Sequence, residues 1–256
     1  MLKFFDCQAA VGRWKRPRYG AYETASELLA VLDYLQVERA VVFHAVAQEG
    51  HPTLGNVLLL EELREHSRLL PCWVLLPHHT SEMPEPRALV REMLDRGVYF
   101  AKLLPGIGGH GFSLEPWCSG SLLDELAAHR IPTFHDFMLF RRDEPDWRLV
   151  HALCGSYPTL PLVLSGAGIG RASRTFYALL RVCPNLYIET SRYTPFRGIE
   201  ALCERGFADR LLYGSGLPQV APGAALTSVT HALISDRAKA LIASGNLERL
   251  LREVRT

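Results

Sequence analysis

The sequence predicts an α/β protein built as a single (β/α)8 TIM barrel over residues 1–256. Short apolar runs alternate with longer amphipathic segments from end to end, and no change in composition divides the chain. Runs that are apolar throughout are typical of parallel strands, because both faces of such strands are buried. Eight strand–helix steps within this length favour a closed barrel. An open doubly wound sheet is disfavoured because no G-x-G-x-x-G follows the first strand.

The elements follow in chain order. Strands are predicted at LKFF, RAVVFHA, LPCWVLLP, VYFAKLLP, IPTFHDF, LPLVLSG, NLYIET and RLLYGSG. Helices are predicted at TASELLAVLDYLQ, GNVLLLEELREHSR, EPRALVREMLDRG, SGSLLDELAAHR, DWRLVHALCGSYP, RTFYALLRVCPN, FRGIEALCERG and SDRAKALIASGNLERLLREV. The first helix has a start signal, since Glu27 follows a Thr24 cap at capping-box spacing. Chemistry in such a barrel lies at the carboxyl ends of the strands, so polar residues there are the functional candidates.

Composition narrows the classes of partner. The net charge is +1, with both signs mixed along the chain, so nucleic acid is not an expected partner. No apolar run approaches the length of a membrane span, so no membrane partner is expected either. The six cysteines are scattered without a C-x-x-C pair, which is typical of reduced thiols in a cytoplasmic protein. We expect a cytoplasmic protein that binds a small molecule, and a homodimer as the commonest assembly.

Several stretches together resemble the amidohydrolase-related family, the amidohydrolase 2 type of metal-dependent TIM-barrel hydrolases and decarboxylases. The eighth strand is the most specific: ADRLLYGSGLP is very close to the family's A-D-R-(apolar)-(apolar)-(aromatic)-G-S-D-(aromatic or apolar)-P. FFDCQAAVG resembles the family's first strand, usually D-x-H-x-H-x-G, and SGNLERLL resembles its closing helix. The likeness extends over nearly the whole chain. It implies a hydrolase or lyase with its site at the strand ends.

The departures from this pattern fall on the family's metal ligands. Gln8 and Ala10 stand at the two histidine positions of the first strand. Gly166 stands at the histidine position of the sixth strand, and Gly216 at the carboxylate position of the eighth. The fifth-strand histidine position falls on Asp136, although a slip of one residue would place His135 there. Alanine and glycine offer no donor atom, and a neutral amide is a poor zinc ligand. We therefore predict no metal and no other cofactor; zinc or another divalent metal is the alternative.

Lys102 remains at the family's fourth-strand position. If the family positions 8, 10, 136, 166 and 216 point inward, strand alternation places Lys102 and Glu189 inward too, whereas Cys7 is expected to face the helix layer. A buried ammonium is costly unless it is paired. Our hypothesis is that Lys102 supplies the charge that the metal supplies in the family, with His135 or Asp136 as the acid–base group and Glu189 as its partner. A purely structural ion pair is the alternative.

Other polar residues at the predicted rim are candidates for binding an anionic substrate: Arg13, His44, His79, His110 and Arg192. Arginine binds carboxylate or phosphate in bidentate fashion, and imidazole does acid–base work near neutral pH. The sequence therefore predicts a hydrolase or lyase acting on a small anionic molecule without the family's metal site. Two alternatives stay open. One is a non-catalytic metabolite-binding protein, and the other is a hydrolase with zinc relocated to His79, His135, Asp136 and Glu189.

Overall fold

The predicted barrel is confirmed by the structure, a computed structural model that describes residues 2–15, 22–106, 109–136, 146–165 and 174–256. Eight parallel strands form one sheet in chain order. They are β1 (Phe4–Val11), β2 (Val37–His44), β3 (Leu69–Leu75), β4 (Phe100–Leu103), β5 (Thr133–Asp136), β6 (Leu162–Ser165), β7 (Leu186–Glu189) and β8 (Leu211–Leu212). Among the described residues, no helix is both long and apolar enough to cross a lipid bilayer.

Helices cover the outside of the sheet. They are α1 (Ala25–Tyr34), α2 (Ala45–Glu49), α3 (Pro52–Leu63), α4 (Pro86–Asp95), α5 (Pro116–Ala128), α6 (Trp147–Ser156), α7 (Arg174–Val182), α8 (Gly198–Glu204), α9 (Pro222–Thr230), α10 (Asp236–Ala240) and α11 (Asn246–Arg252). The predicted capping box of α1 is present: Glu27 N–H donates to Thr24 Oγ1 over 3.2 Å, and Thr24 N–H donates to Glu27 Oε2 over 3.1 Å. Helices α2 and α9 were not predicted. The five residues of α2 directly follow β2, too few for a helical period to show.

The two ends of the sheet meet through main-chain hydrogen bonds. They run from Cys7 N–H to Tyr213 C=O (2.9 Å), from Gly216 N–H to Gln8 C=O (3.0 Å) and from Ala10 N–H to Leu217 C=O (3.0 Å). The buried Asp6 carboxylate strengthens this seam, because its Oδ1 accepts from the N–H groups of Ser215 (2.8 Å) and Gln8 (2.9 Å). Burial raises the pKa of Asp6. The seam fixes the turn after β8, where the family places its carboxylate.

The barrel interior changes from apolar to charged along the strands. One buried cluster fills it near the amino ends with Phe5, Val41, Cys72, Phe100, Phe134, Val163 and Leu212. Two residues further along the inward faces come Lys102, Asp136 and Glu189, each at most 4% exposed. The charged groups therefore lie towards the carboxyl ends of the strands, on top of an apolar floor.

Side-chain alternation is interrupted within β1. The pairing of β1 with β2 shifts register between Asp6 and Ala9, as at a β-bulge. In consequence Cys7 and Ala10, three residues apart, belong to the same interior cluster. The prediction that Cys7 faces the helix layer was wrong, because strict alternation does not hold across an irregular register.

The closing helix is tied to the start of β8 by one side chain. Asn246 is fully buried, and its Nδ2 donates to the carbonyls of Ala208 and Leu211, each over 2.8 Å. The Gly-Asn step that resembles the family's closing helix therefore has a structural function: it holds β8 in position.

Replacing Asn246 by alanine is expected to lower the free energy of unfolding by about 3 kcal/mol, because two main-chain carbonyls lose their donor in a buried setting. Urea denaturation of both proteins measures the difference. Glu248→Ala on the same helix is the matched control and is expected to change stability by at most about 0.5 kcal/mol. Equal midpoints for Asn246→Ala and the wild type would contradict the assignment.

Candidate functional site

The central feature of the site is a buried ion pair. Lys102 Nζ lies 3.0 Å from Asp136 Oδ2, and the two side chains are only 1% and 5% exposed. The pairing register explains this contact: Lys102 stands opposite Phe134, so Asp136, two residues further on, shares its face. The ammonium also lies 3.8 Å from the ring centroid of Phe43, in the geometry of a cation–π contact.

A second carboxylate, Glu189, ends β7 in the same interior. It is 1% exposed and accepts hydrogen bonds from the N–H of Ser191 and from its hydroxyl, the latter over 2.9 Å. Its side chain packs on Gly214, where an added Cβ would collide with the carboxylate. Burial raises the pKa of Cys7 well above its usual value; Glu189 raises it further and Lys102 lowers it. The thiol thus lies within the fields of both charged groups.

His135 lies on the other face of β5. Its neighbours in the sheet are Leu103 and Leu164, which belong to the core between barrel and helices. Burial lowers the pKa of His135 to about 4; Asp136 and a hydrogen bond with the Leu103 main chain act in the opposite direction. The imidazole is therefore neutral near pH 7, and on the outer face of β5 it points away from the interior that holds Lys102 and Asp136. Of the two residues that the sequence left open, Asp136 faces the interior.

Two of the other predicted histidines, His44 and His110, contact the main chain around the short helix α2. His44 Nδ1 accepts from the Val46 N–H over 3.2 Å and so caps α2. Its ring lies against the main chain of Gly12, where the φ of +91° and the close imidazole both require glycine. His110 hydrogen-bonds the main chain of Ala47 in α2. Burial lowers the pKa of both histidines. Both side chains are thereby engaged in structural contacts.

The remaining predicted residues lie nearer the surface. His79 is exposed in the 3₁₀ turn after β3, with its Nε2 2.7 Å from the Cys118 carbonyl of α5. Arg13 is exposed after β1, and Arg192 is half-buried directly after β7. In the part of the chain that the structure describes, no three His, Cys, Asp or Glu side chains are grouped to hold a metal ion. The four residues named for a relocated zinc are all described, and they are not assembled.

The residues present do not fit the family's metal. Gly216 has a φ of +71°, and an added Cβ would lie 2.8 Å from Val220 Cγ2 and 3.0 Å from Ser191 Oγ. A carboxylate at this position would be strained and would collide with its neighbours. Ala10 is buried and has no donor atom, and Gly166 lies outside the described residues. The donor set that a divalent ion requires is therefore incomplete.

Two contacts in the site were not predicted from the sequence. Phe43 presents its ring to the ammonium, and Ser191 holds Glu189. Phe43 lies on the predicted strand RAVVFHA, two positions from another inward residue, so its inward direction was readable. Its place beside Lys102 depends on the curvature of the sheet, which one strand does not reveal.

Fold and site together define a class: a (β/α)8 barrel with a buried ammonium–carboxylate pair at the carboxyl ends of its strands. The chain belongs to the Amidohydrolase family, whose model matches residues 5–252. No curated protein matches its sequence.

Solved structures share the fold at low sequence identity. An uncharacterized TIM-barrel protein, Bb4693 from Bordetella bronchiseptica, is 19% identical with a TM-score of 0.76, covering 98% of this chain and 99% of that one. The 2,6-dihydroxybenzoate decarboxylase from Rhizobium is 14% identical (TM-score 0.68; 98% and 99% covered). The 5-carboxyvanillate decarboxylase LigW from Sphingomonas paucimobilis is 13% identical (TM-score 0.69; 98% and 99% covered).

Acid is expected to destabilise the protein through His135. Its pKa falls from 6.5 to about 4 on folding, so the unfolded chain binds more protons between these values. The stabilising effect is complete above about pH 6.5 and is lost as the pH falls towards 4, by up to about 3 kcal/mol. Urea denaturation across this range should give a shallower pH dependence for His135→Asn, whereas exposed His151→Asn should keep the wild-type slope. Equal slopes for all three proteins would refute this role.

Restoring the family's carboxylate with Gly216→Asp is expected to destabilise the barrel without creating a metal site. Gly97→Asp is a matched control, since Gly97 also has a positive φ (+73°) but its added Cβ meets no described atom within 4 Å. We expect about 1 kcal/mol of loss at Gly97 and about 2 kcal/mol more at Gly216. Thermal unfolding and metal analysis measure both effects. A stable Gly216→Asp protein holding stoichiometric metal would contradict the fit argument.

Proposed function

We propose that this protein is a metal-independent hydrolase or lyase acting on a small anionic molecule at the carboxyl ends of its strands. The observation that carries the proposal is the buried Lys102–Asp136 pair, which lies towards the carboxyl ends of the strands, where barrels of this kind carry out their chemistry. A buried ammonium attracts an anion and stabilises negative charge that develops during reaction, and it does so strongly because the surroundings are apolar.

Asp136 is the acid–base group in this proposal. Its Oδ2 is close enough to the ammonium to exchange a proton with it, and it faces the interior, unlike His135. Glu189 is held by two donors from Ser191, so we assign it the role of a fixed negative charge that orients the positive group. Arg192, directly after β7, is a candidate for contacting the substrate anion.

A lyase reaction on a carboxylic acid agrees best with these groups. Two of the similar structures are named as decarboxylases of aromatic carboxylic acids, 2,6-dihydroxybenzoate and 5-carboxyvanillate. Loss of carbon dioxide moves negative charge from the carboxylate onto the substrate, where an adjacent ammonium lowers the barrier.

The proposal has three further parts. The protein is cytoplasmic, it forms a homodimer, and Arg13 is a further contact for the substrate anion.

Binding without turnover is the second candidate. Both interior carboxylates already have partners, Asp136 in the ion pair and Glu189 on Ser191, as in a settled structural network. A binding protein needs the positive charge but no proton exchange, so the two functions differ in their need for Asp136.

The test uses variants that separate function from folding. Lys102→Met removes the ion-pair partner of a buried carboxylate and is expected to destabilise the protein, whereas Lys102→Met with Asp136→Leu removes both charges and should recover much of the stability. Binding of 2,6-dihydroxybenzoate, 5-carboxyvanillate and oxaloacetate is measured by calorimetry, and their turnover is followed in buffer with a chelator. We expect wild-type turnover that falls at least about 100-fold in both variants.

The outcomes discriminate between the candidates. Binding without turnover in the wild type, lost in both variants, would favour the binding protein. Retained binding or turnover in the stable double variant would show that the pair is only structural. Turnover that a chelator abolishes would contradict metal independence.

A further inference from the structure

We propose that Lys102 acts as a nucleophile that forms an imine with a small 3-oxo acid. This deepens the function proposed above and rests on it. In the function proposed above, Lys102 acts as a fixed positive charge. The environment of its amine also fits covalent catalysis, which requires a desolvated lysine beside a proton acceptor.

The surroundings of Nζ set Lys102 apart from the other lysines. The sequence contains four: Lys3, Lys15, Lys102 and Lys239. Lys3 and Lys15 are exposed and Lys239 is half-buried, with contacts to Glu38, the main chain of Glu49 and the main chain of Thr230, respectively. Beyond the paired Asp136, no described residue accepts a hydrogen bond from the Lys102 ammonium. The Lys102 ammonium can therefore donate another hydrogen bond, for example to a bound substrate.

The amine lies towards the carboxyl ends of the strands, the end at which barrels of this kind carry out their chemistry. Its two measured neighbours stand at the carboxyl ends of their strands, since Phe43 is the penultimate residue of β2 and Asp136 is the last of β5. Phe134, opposite Lys102 in the sheet, lies below in the apolar cluster. A carbonyl compound arriving from the mouth thus meets the amine before the floor.

Asp136 provides the proton path for imine formation. Its carboxylate takes one proton from the ammonium, and the freed nitrogen lone pair forms the C–N bond while the carbonyl π pair moves to oxygen. That oxygen takes a proton from nitrogen, and the carbinolamine hydroxyl then leaves as water with the proton returned by Asp136. The product is a protonated imine, one water and the carboxylate. No oxidant or metal is consumed.

The imine explains how a lyase without a metal could hold the electrons released. When the ketone lies two bonds from the carboxylate, the C–C bond pair moves into the C=C bond of an enamine as carbon dioxide leaves, and the iminium nitrogen accepts the displaced π pair. Protonation of the enamine carbon and hydrolysis of the imine restore Lys102. The aromatic rings of Phe43 and Phe134 provide an apolar setting, which favours loss of a charged carboxylate.

Borohydride trapping tests this step. The wild-type protein is incubated separately with the 3-oxo acids oxaloacetate and acetoacetate, reduced with sodium borohydride and analysed by intact mass and peptide mapping. We expect an adduct on Lys102, heavier by the mass of the oxo acid present at reduction less one oxygen atom. For a 3-oxo acid that has already lost carbon dioxide, the adduct is that of its decarboxylated product.

Matched variants locate the reaction. Lys102→Arg keeps the positive charge but has no amine able to form an imine, so the adduct should disappear; Lys239→Arg changes a surface lysine and should leave it unchanged. Asp136→Asn should slow trapping at least 10-fold. The peptide map of the wild type gives the answer even where a variant fails to fold.

Each result has one meaning. An adduct absent from wild-type protein, or confined to Lys3, Lys15, Lys239 or the terminal amine, overturns the imine. If carboxylic acids still bind or turn over in a Lys102-dependent way, the function proposed above stands without it. If neither adduct nor Lys102-dependent binding is found, both fail.

Discussion

A positive charge enclosed by a barrel must be compensated inside that barrel, and the arrangement around Lys102 follows from this requirement. Removing an ammonium from water is unfavourable by several kcal/mol, and a single contact at good geometry offsets only part of it. The carboxylate of Asp136 approaches to 3.0 Å, and the ring of Phe43 presents its negative face at 3.8 Å. Below them the strands carry apolar side chains, which keep the dielectric low and the pair strong. The same low dielectric makes this charge effective towards an anion at the mouth.

Two glycines just after β8 decide which side chains fill the site. Glycine at 214 leaves room for Glu189, and glycine at 216 leaves room for Ser191, which in turn donates two hydrogen bonds to Glu189. In this family the corresponding turn is expected to carry a metal-binding carboxylate, and here a serine and a glutamate from β7 occupy the space beside it. The main-chain seam with β1 and the Asp6 carboxylate hold the turn in that shape. The space left by the two glycines and the hydrogen bonds from Ser191 therefore both hold Glu189 in the site.

Periodicity and capping signals were enough to predict the eight strands, the start of α1 at Thr24 and the inward direction of Lys102. They were not enough for Cys7, because a register shift inside β1 is a property of two paired strands and leaves no mark in one of them. The histidines were the weakest candidates. His44 and His110 stand near strand ends but point into loop contacts, and the direction of a side chain after the last strand residue depends on the local turn. His135 and Asp136 were inseparable by spacing alone, and the pairing of β4 with β5 distinguishes them.

Four residues of the site depend on one another for space and hydrogen bonds: Gly214, Glu189, Ser191 and Gly216. Their contacts limit the substitutions that the turn can accept. An aspartate at 216 requires Val220 and Ser191 to move, and a displaced Ser191 no longer donates its two hydrogen bonds to Glu189. A carboxylate introduced at position 216 alone is therefore expected to give a less stable molecule. These four positions are therefore interdependent, and a carboxylate at 216 is compatible with the turn only if neighbouring positions change with it.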